Sequence, residues 1–497
     1  MGAQVFGDGR VHQEHPGQLL LGLLCGQSGA DSSEHSGFAE PSVIQKAKHL
    51  STSRTFFVFQ SCSRLAGFIL GGASFAHRGV MLDQPLIQTI RPRGLLSFGP
   101  QTPPVHLERL NVLIGPNSSG KSNLFDVFRL IRSIPVDLQE TVRRSGGPRG
   151  WLWESDVTST PELEVVVSPA DAPLGHRILF RTVDSELWPV EESITLAPEL
   201  LLYEFRADSG KARVRSRAVG DSAAGLPEDR PPLHPGPGLR WVPIGSLEAP
   251  TGPLAELSYP GEADQSILQQ LRSPFDYPHL SMLAGVYRSI QIYDGWVFGR
   301  DAPLRRSQPA DGRSDRLEED YSNLGLVLNQ MGAYPEAKQQ IISGLRELYE
   351  GFTNYEVVIS GGSVQVYFTE DQRRSVPATR LSDGAIRYLC LLTMLYNPNA
   401  LPVLCIEEPE LGLHPDIVAG LAKHLVAASQ RLQVVVTTHS DILVDALSSA
   451  PEAIVVFENH DGCTQMGRFG EDGLSKWLEE YRLGELWTSG QIGGTRW

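Results

Sequence analysis

The chain has 497 residues, 41% of them hydrophobic, which is enough for a soluble globular protein of two or three structural units with a large core. Its 43 basic and 58 acidic residues give a formal net charge of −15, which excludes a global electrostatic pull toward nucleic acid and leaves only local patches for such contact. Cys25, Cys62, Cys390, Cys405 and Cys463 show no paired metal-ligand spacing, and two of them lie in apolar segments, the usage expected of a reduced, cytoplasmic protein.

Residues 1–80 mix Gly, Ser, His and Gln without a sustained period, and read as an upstream extension of a mis-called start or as a disordered regulatory arm. Within them Phe56 to Ala76 is fairly apolar, but Gln60, Ser61, Ser63 and Arg64 interrupt it. It makes a poor membrane span and lies too deep for a signal peptide. The folded part is expected from Met81, where Leu82 to Ile90 leads into the first strand. Phe98 follows, an aromatic that either stacks on an adenine or lies in the core.

Asn111 to Ile114 is an apolar strand that ends in Gly115-Pro116-Asn117-Ser118-Ser119-Gly120-Lys121-Ser122. Leu124, Val127, Phe128 and Ile131 then give the segment Asn123 to Arg132 a helical period. Strand, glycine-rich loop and helix in this order predict a phosphate-binding loop. Its successive backbone N–H groups face the α and β phosphates of a nucleotide, and the helix N-terminus faces the same anion. Lys121 reaches the β and γ phosphates, and the Ser122 hydroxyl can hold Mg²⁺.

A long span follows, too rich in Pro and Gly for a coiled-coil arm, above all at Pro227 to Gly238. It predicts a compact lid or arm. Leu163 to Val167, Ile178 to Thr182 and Leu200 to Phe205 read as strands, while Ala263 to Arg272 and Leu324 to Leu348 read as helical, the latter broken near Gly332 to Pro335. Three small groups of arginines are candidate nucleic-acid contacts or solvated loops: Arg143, Arg144 and Arg149; Arg305, Arg306 and Arg313; Arg373 and Arg374.

Leu381-Ser382-Asp383-Gly384 opens an apolar helix from Ala385 to Tyr396, as a functional motif or as an ordinary Ser or Asp helix cap. Val403 to Ile406 is a buried strand ending in Glu407-Glu408-Pro409-Glu410, so acidic groups stand at its carboxyl end, where open α/β sheets bind ligands. This looks like a Walker B strand, with Glu407 in the Mg²⁺ shell and Glu408 polarising a water; the alternative is an acidic cap on the helix Pro415 to Ser429. A further strand, Leu432 to Val436, leads to Thr437-Thr438-His439-Ser440-Asp441, in which His439 resembles a switch histidine sensing the γ-phosphate; the alternative is a capping or core histidine. The tail holds Trp477, Tyr481, Trp487 and Trp497 among glycines, and reads as a short helix followed by a packed brace or a docking element.

In the order loop, Ser382 motif, acidic strand, histidine, these segments resemble the ATPase heads of the ABC, SMC and RecF group. The text Ile406 to Pro415 is more closely similar to the predicted bacterial AAA/ABC-type ATPases allied to RecF and to the OLD family. The tail after His439 is too short for an OLD nuclease domain. The resemblance implies an α/β P-loop NTPase fold of ABC/SMC-head type, a mostly parallel sheet core carrying a large α+β insert. It also implies ATP and Mg²⁺ as ligands and an ATP-dependent homodimer, in which Ser382, Asp383 and Gly384 act in trans on the nucleotide held by the partner. Glu408 and His439 would be catalytic, Glu407 and Ser122 would hold the metal, and Gly115 to Asn123 would bind the nucleotide. Asp383 departs from the transporter signature and is expected to face away from the phosphate, capping its own helix.

The expected division is 1–80 extension, 81–175 first core lobe, 176–350 inserted lid or arm, 351–465 second core lobe and 466–497 tail. The expected activity is ATP hydrolysis in DNA repair or phage defence, with DNA or an effector protein as the load, in the cytoplasm and without a membrane. The alternative is an ATP-gated recruitment module with slow or no hydrolysis.

Overall fold

Leu110–Ile114, Val403–Glu407 and Gln433–Thr437 are apolar runs with almost no polar alternation, which suits strands covered on both faces. In the computed structural model, which describes residues 84–153, 160–169, 172–197, 199–215, 253–257, 264–271, 273–296, 299, 302, 305–371, 374–468 and 480–494, they lie side by side in one sheet. The chain divides into two units, Met1–Ser53 and Arg54–Trp497, and every described residue belongs to the second. The expected extension 1–80, the connection Pro227 to Gly238, Cys25, Cys62, Arg373, Trp477 and Trp497 lie outside the described residues.

The core sheet runs Ile290–Tyr293, Val403–Glu407, Gln433–Thr437, Leu110–Ile114, Ile454–His460, Cys463–Arg468. Neighbours are parallel except the last pair, which forms an antiparallel hairpin. Register aligns the motif strands: Glu407 pairs with Thr437, and Thr437 with Leu113. The phosphate-loop, acidic and histidine strands therefore end at one edge of the sheet.

Each face of that sheet takes alternate side chains. Leu404, Ile406, Val434 and Val436 pack under the helices Asp383–Tyr396, Pro415–Ser429, Pro335–Leu348 and Asp441–Ala446. Val403, Cys405 and Val435 face the helices Lys121–Ser133 and Pro278–Arg288. The buried thiols of Cys390 and Cys405 are pushed well above their ordinary pKa by desolvation, as inert core groups are.

Over the second face lies an eight-stranded antiparallel sheet in the order Val105–His106, Ile87–Arg93, Glu162–Val167, Leu174–Val183, Glu186–Leu196, Leu200–Arg206, Lys211–Arg215, Leu254–Leu257. The three strands expected between residues 163 and 205 all belong to it. The segment 176–350 is not set apart from the core: residues 175 and 176 fall within one strand, and Ile290–Tyr293 is a strand of the parallel sheet. Leu324–Met331 and Pro335–Leu348 show the expected helix break.

Where the antiparallel sheet meets Pro278–Arg288, a polar network is enclosed. Glu192, 2% exposed, accepts hydrogen bonds from the Ser266 hydroxyl and from Ile267 N at 2.9 Å, and its Oε1 lies 3.0 Å from His176 Nε2. His176 Nδ1 lies 2.9 Å from the Tyr287 hydroxyl.

Phe98 is fully buried among apolar neighbours, which corrects the adenine-stacking option: its ring has no face left for a base. The candidate basic groups are largely answered by carboxylates. Arg143 lies 3.2 Å from Glu186, Arg144 2.5 Å from Glu140 and Arg313 3.3 Å from Asp315. In the tail, Leu483–Thr488 is a helix, and Trp487 is buried with its indole N–H donating to Gly494 O at 3.1 Å. Among the described residues no helix is long and apolar enough to cross a membrane.

Candidate nucleotide-binding and active site

Gly115 and Gly120 make the phosphate loop sterically feasible. At φ 148° and 102° they hold backbone conformations that L side chains rarely adopt. A Cβ on Gly115 would lie 2.3 Å from the Phe457 carbonyl oxygen, and one on Gly120 2.1 Å from Thr464 Oγ1. The loop is thus wedged against the neighbouring hairpin. Gly115→Ala is expected to cost about 2 kcal/mol or more of stability, because backbone rather than a movable side chain blocks the methyl. Thermal melting and nucleotide binding, measured on the same sample, check it.

Two residues that no local motif marks lock the loop from outside. Thr464 donates to Ser119 O at 2.9 Å, and its hydroxyl lies 2.6 Å from Ser97 Oγ, which in turn accepts from Asn123 Nδ2 at 2.6 Å. The Asn123 side chain is therefore engaged within the fold, and only its backbone remains for an anion. The helix begins at Gly120 with no side-chain cap and no acid in its first turn, so its N–H groups face outward unanswered by carboxylates. Ser119 Oγ is buried without a hydrogen-bond partner. Asn117, Ser118 and Ser122 are exposed. Together these features make a cradle that fits a polyphosphate.

Lys121 is 6% exposed, and its ammonium donates to Gly115 O at 2.8 Å and Pro116 O at 2.9 Å. Burial pushes its pKa down to about 8, against the opposing pull of Glu408 and Glu407. The two carboxylates thus lie close enough to the loop cation to be felt by it.

Ser122 Oγ donates to Glu407 Oε1 at 2.7 Å, bringing the loop and the acidic strand into direct contact. A hydroxyl and a carboxylate at this separation are the hard oxygen donors that suit Mg²⁺. Glu408 follows at φ 43°, in the left-handed region, with its N–H shared between Thr437 O and Thr437 Oγ1, both at 3.1 Å. That turn lifts its half-exposed carboxylate to 3.6 Å from His439 Nε2, an electrostatic rather than a hydrogen-bonding distance. Glu410 fixes the histidine loop, its Oε1 accepting from Thr438 Oγ1 at 2.7 Å and from His439 N at 2.9 Å.

The Ser382 motif opens the helix Asp383–Tyr396, with Ser382 and Asp383 exposed. Ser382, not Asp383, caps this helix, its Oγ accepting from Ala385 N at 3.2 Å. Asp383 instead takes Arg305 Nη2 at 2.5 Å, because a second cationic element reaches the helix start and neutralises it. Arg305 is thereby a structural partner of this motif and no surface patch.

A buried stack backs the acidic pair. Trp296 donates its indole N–H to Glu407 O at 2.6 Å and stacks on Tyr321 at 5.2 Å. The Arg387 guanidinium lies 4.2 Å above the Trp296 ring and donates to Glu408 O at 3.2 Å. Sequence reasoning missed both residues in this role. Arg387 sits in an apolar helix, and Trp296 stands out only as the start of a segment, Trp296 to Arg300, that shares the family resemblance, with no role attached to it.

Residues 110–170 and 254–445, just over half of the chain, match the model of the family described as "AAA domain, putative AbiEii toxin, Type IV TA system". The chain belongs to this family. Its AAA domain has an α/β P-loop NTPase fold, with the phosphate loop, acidic strand and histidine loop gathered at one sheet edge. Among solved structures, an Smc head bound to the C-winged helix domain of ScpA matches at 12% identity, covering 78% of this chain and 99% of that one, with a TM-score of 0.45. The SMC head domain from Thermotoga maritima matches at 13% identity, 78% and 99% coverage and a TM-score of 0.38. An Smc head domain derived from Pyrococcus yayanosii matches at 10% identity, 80% and 99% coverage and a TM-score of 0.41. No curated protein matches the chain.

Proposed function

We propose that this AAA-domain ATPase hydrolyses ATP between two copies of itself that close over the nucleotide. The Ser122–Glu407 contact carries the reading, because it joins the phosphate loop to an acidic strand end through oxygen donors. Backbone N–H groups from Gly115 to Asn123 would hold the α and β phosphates, and Lys121 would turn from its loop carbonyls to the β and γ phosphates. Ser122 and Glu407 would hold Mg²⁺, which when bound neutralises charge between the β and γ phosphates. Glu408 Oε1 would accept the proton of the attacking water, and His439, at the same rim, would orient toward the γ-phosphate.

Ser382, Asp383 and Gly384 would meet the partner's nucleotide in trans. The exposure of Ser382 and Asp383 supports this, and the Arg305 contact removes the repulsion that an unanswered Asp383 would exert on phosphate. The load we propose is DNA or an effector protein, in repair or phage defence. The family description, which names a toxin of a type IV TA system, supports the defence side. The setting we propose is the cytoplasm, with which the free, buried thiols of Cys390 and Cys405 are consistent.

ATP turnover and nucleotide affinity of the full chain test the reading. The wild type is expected to release phosphate, and Lys121→Ala to weaken nucleotide binding about tenfold to a hundredfold, the loss of one charge-assisted contact. A wild type that binds ATP without turning it over would replace this reading with the recruitment module.

A further inference from the structure

We infer that Arg387 is the positioning residue for Glu408 and that it ties this carboxylate to the Ser382 helix of the same chain; the inference rests on the role of Glu408 proposed above. Glu408 needs such support because its backbone, at φ 43°, is in a region costly to a residue with a side chain. Thr437 holds it from the amide side, through two acceptors at 3.1 Å. From the carbonyl side the hold is Arg387 Nη2, at 3.2 Å.

Arg387 is itself fixed. It is 4% exposed and lies over Trp296, whose own N–H takes the carbonyl of Glu407. One stacked pair thereby grips the backbone of both acidic residues, and Tyr321 stacks on the same indole. A planar guanidinium can lie on an indole and donate sideways at once; a lysine ammonium cannot reproduce that geometry.

The position of Arg387 in the chain gives this grip a consequence. It lies one helical turn beyond Asp383, on the same helix. Gly384 at the helix start abuts the loop that follows the acidic pair, so closely that a Cβ there would lie 2.9 Å from Gly412 O. A displacement of the helix start by a partner's nucleotide is therefore carried through rigid contacts to Arg387 and to the loop after Glu408. Each protomer's carboxylate would be set by the nucleotide that its own Ser382 helix binds in the other protomer.

The test is Arg387→Met, made in the wild type and in the Glu408→Gln background. The inference expects kcat to fall about a hundredfold, as a misplaced base does, with ATP affinity within about twofold of wild type. It also expects any gain in molar mass on adding ATP to Glu408→Gln to survive the second substitution, since Arg387 acts through Glu408. Arg387→Lys should not restore kcat. Trp296→Phe keeps a ring under the guanidinium but loses the N–H to Glu407 O; it should lower kcat about tenfold, and it decides the question if Arg387→Met does not fold. Unchanged kcat in the folded variants overturns the inference, as does a parallel loss of kcat, affinity and mass gain. Absent turnover in the wild type counts instead against the role of Glu408.

Discussion

Glu408→Gln is expected to lower ATP turnover by about 10²–10⁴-fold, the contribution typical of a positioned general base, with ATP affinity kept within about twofold. The substitution is nearly isosteric, and the backbone contacts that define the turn, to Thr437 and Arg387, use only main-chain atoms of residue 408. Folding and the phosphate cradle should therefore be undisturbed, while the acceptor facing the rim loses its charge. The neighbouring Glu407 cannot substitute, because its Oε1 is engaged by Ser122. Single-turnover assays beside equilibrium binding separate the two quantities. A fall in affinity as large as the fall in turnover would mean that Glu408 holds nucleotide or metal and does not act on water.

Glu192→Ala is expected to destabilise the protein by about 3–5 kcal/mol, the cost of leaving two buried donors without their shared acceptor and a cavity beside them. Its carboxylate answers Ser266, Ile267 N and His176 where a strand of the antiparallel sheet meets the helices of the core. Truncation strands the Ser266 hydroxyl and the Ile267 amide away from water and leaves a cavity beside them. Glu192→Gln keeps the volume and part of the acceptor capacity, and should cost about 1–3 kcal/mol. Urea denaturation of both variants checks the order. Equal, small losses would show that water reaches this network.

The site was legible in the sequence where its chemistry is local. The strand, loop and helix around Lys121 stand in one continuous run, and the strand ends at Glu407 and Thr437 follow from short apolar runs closed by polar residues. The structure joins two of these segments directly, Ser122 to Glu407. What stayed hidden depends on contacts distant in the chain. Thr464 and Ser97 brace the loop from 345 and 26 residues away, Thr464 through Ser119 and Ser97 through Asn123, and neither has a recognisable pattern.

The core strand Ile290–Tyr293 was read as part of an insert. It has only four residues, and a buried Gln291 interrupts its apolar run by bonding to Leu317 O. The cap of the Ser382 helix stays open in the sequence for a related reason. Ser and Asp are both good caps, and in the structure Ser382 takes that role while Asp383 pairs with Arg305.

The most direct test of the central claim is the molar mass of the Glu408→Gln chain in solution, measured by sedimentation or light scattering with Mg²⁺, before and after ATP. Closure of two copies over the nucleotide predicts that ATP, and not ADP, doubles the mass, and that Lys121→Ala abolishes the change. A chain that binds ATP and keeps a single mass would contradict hydrolysis between two copies.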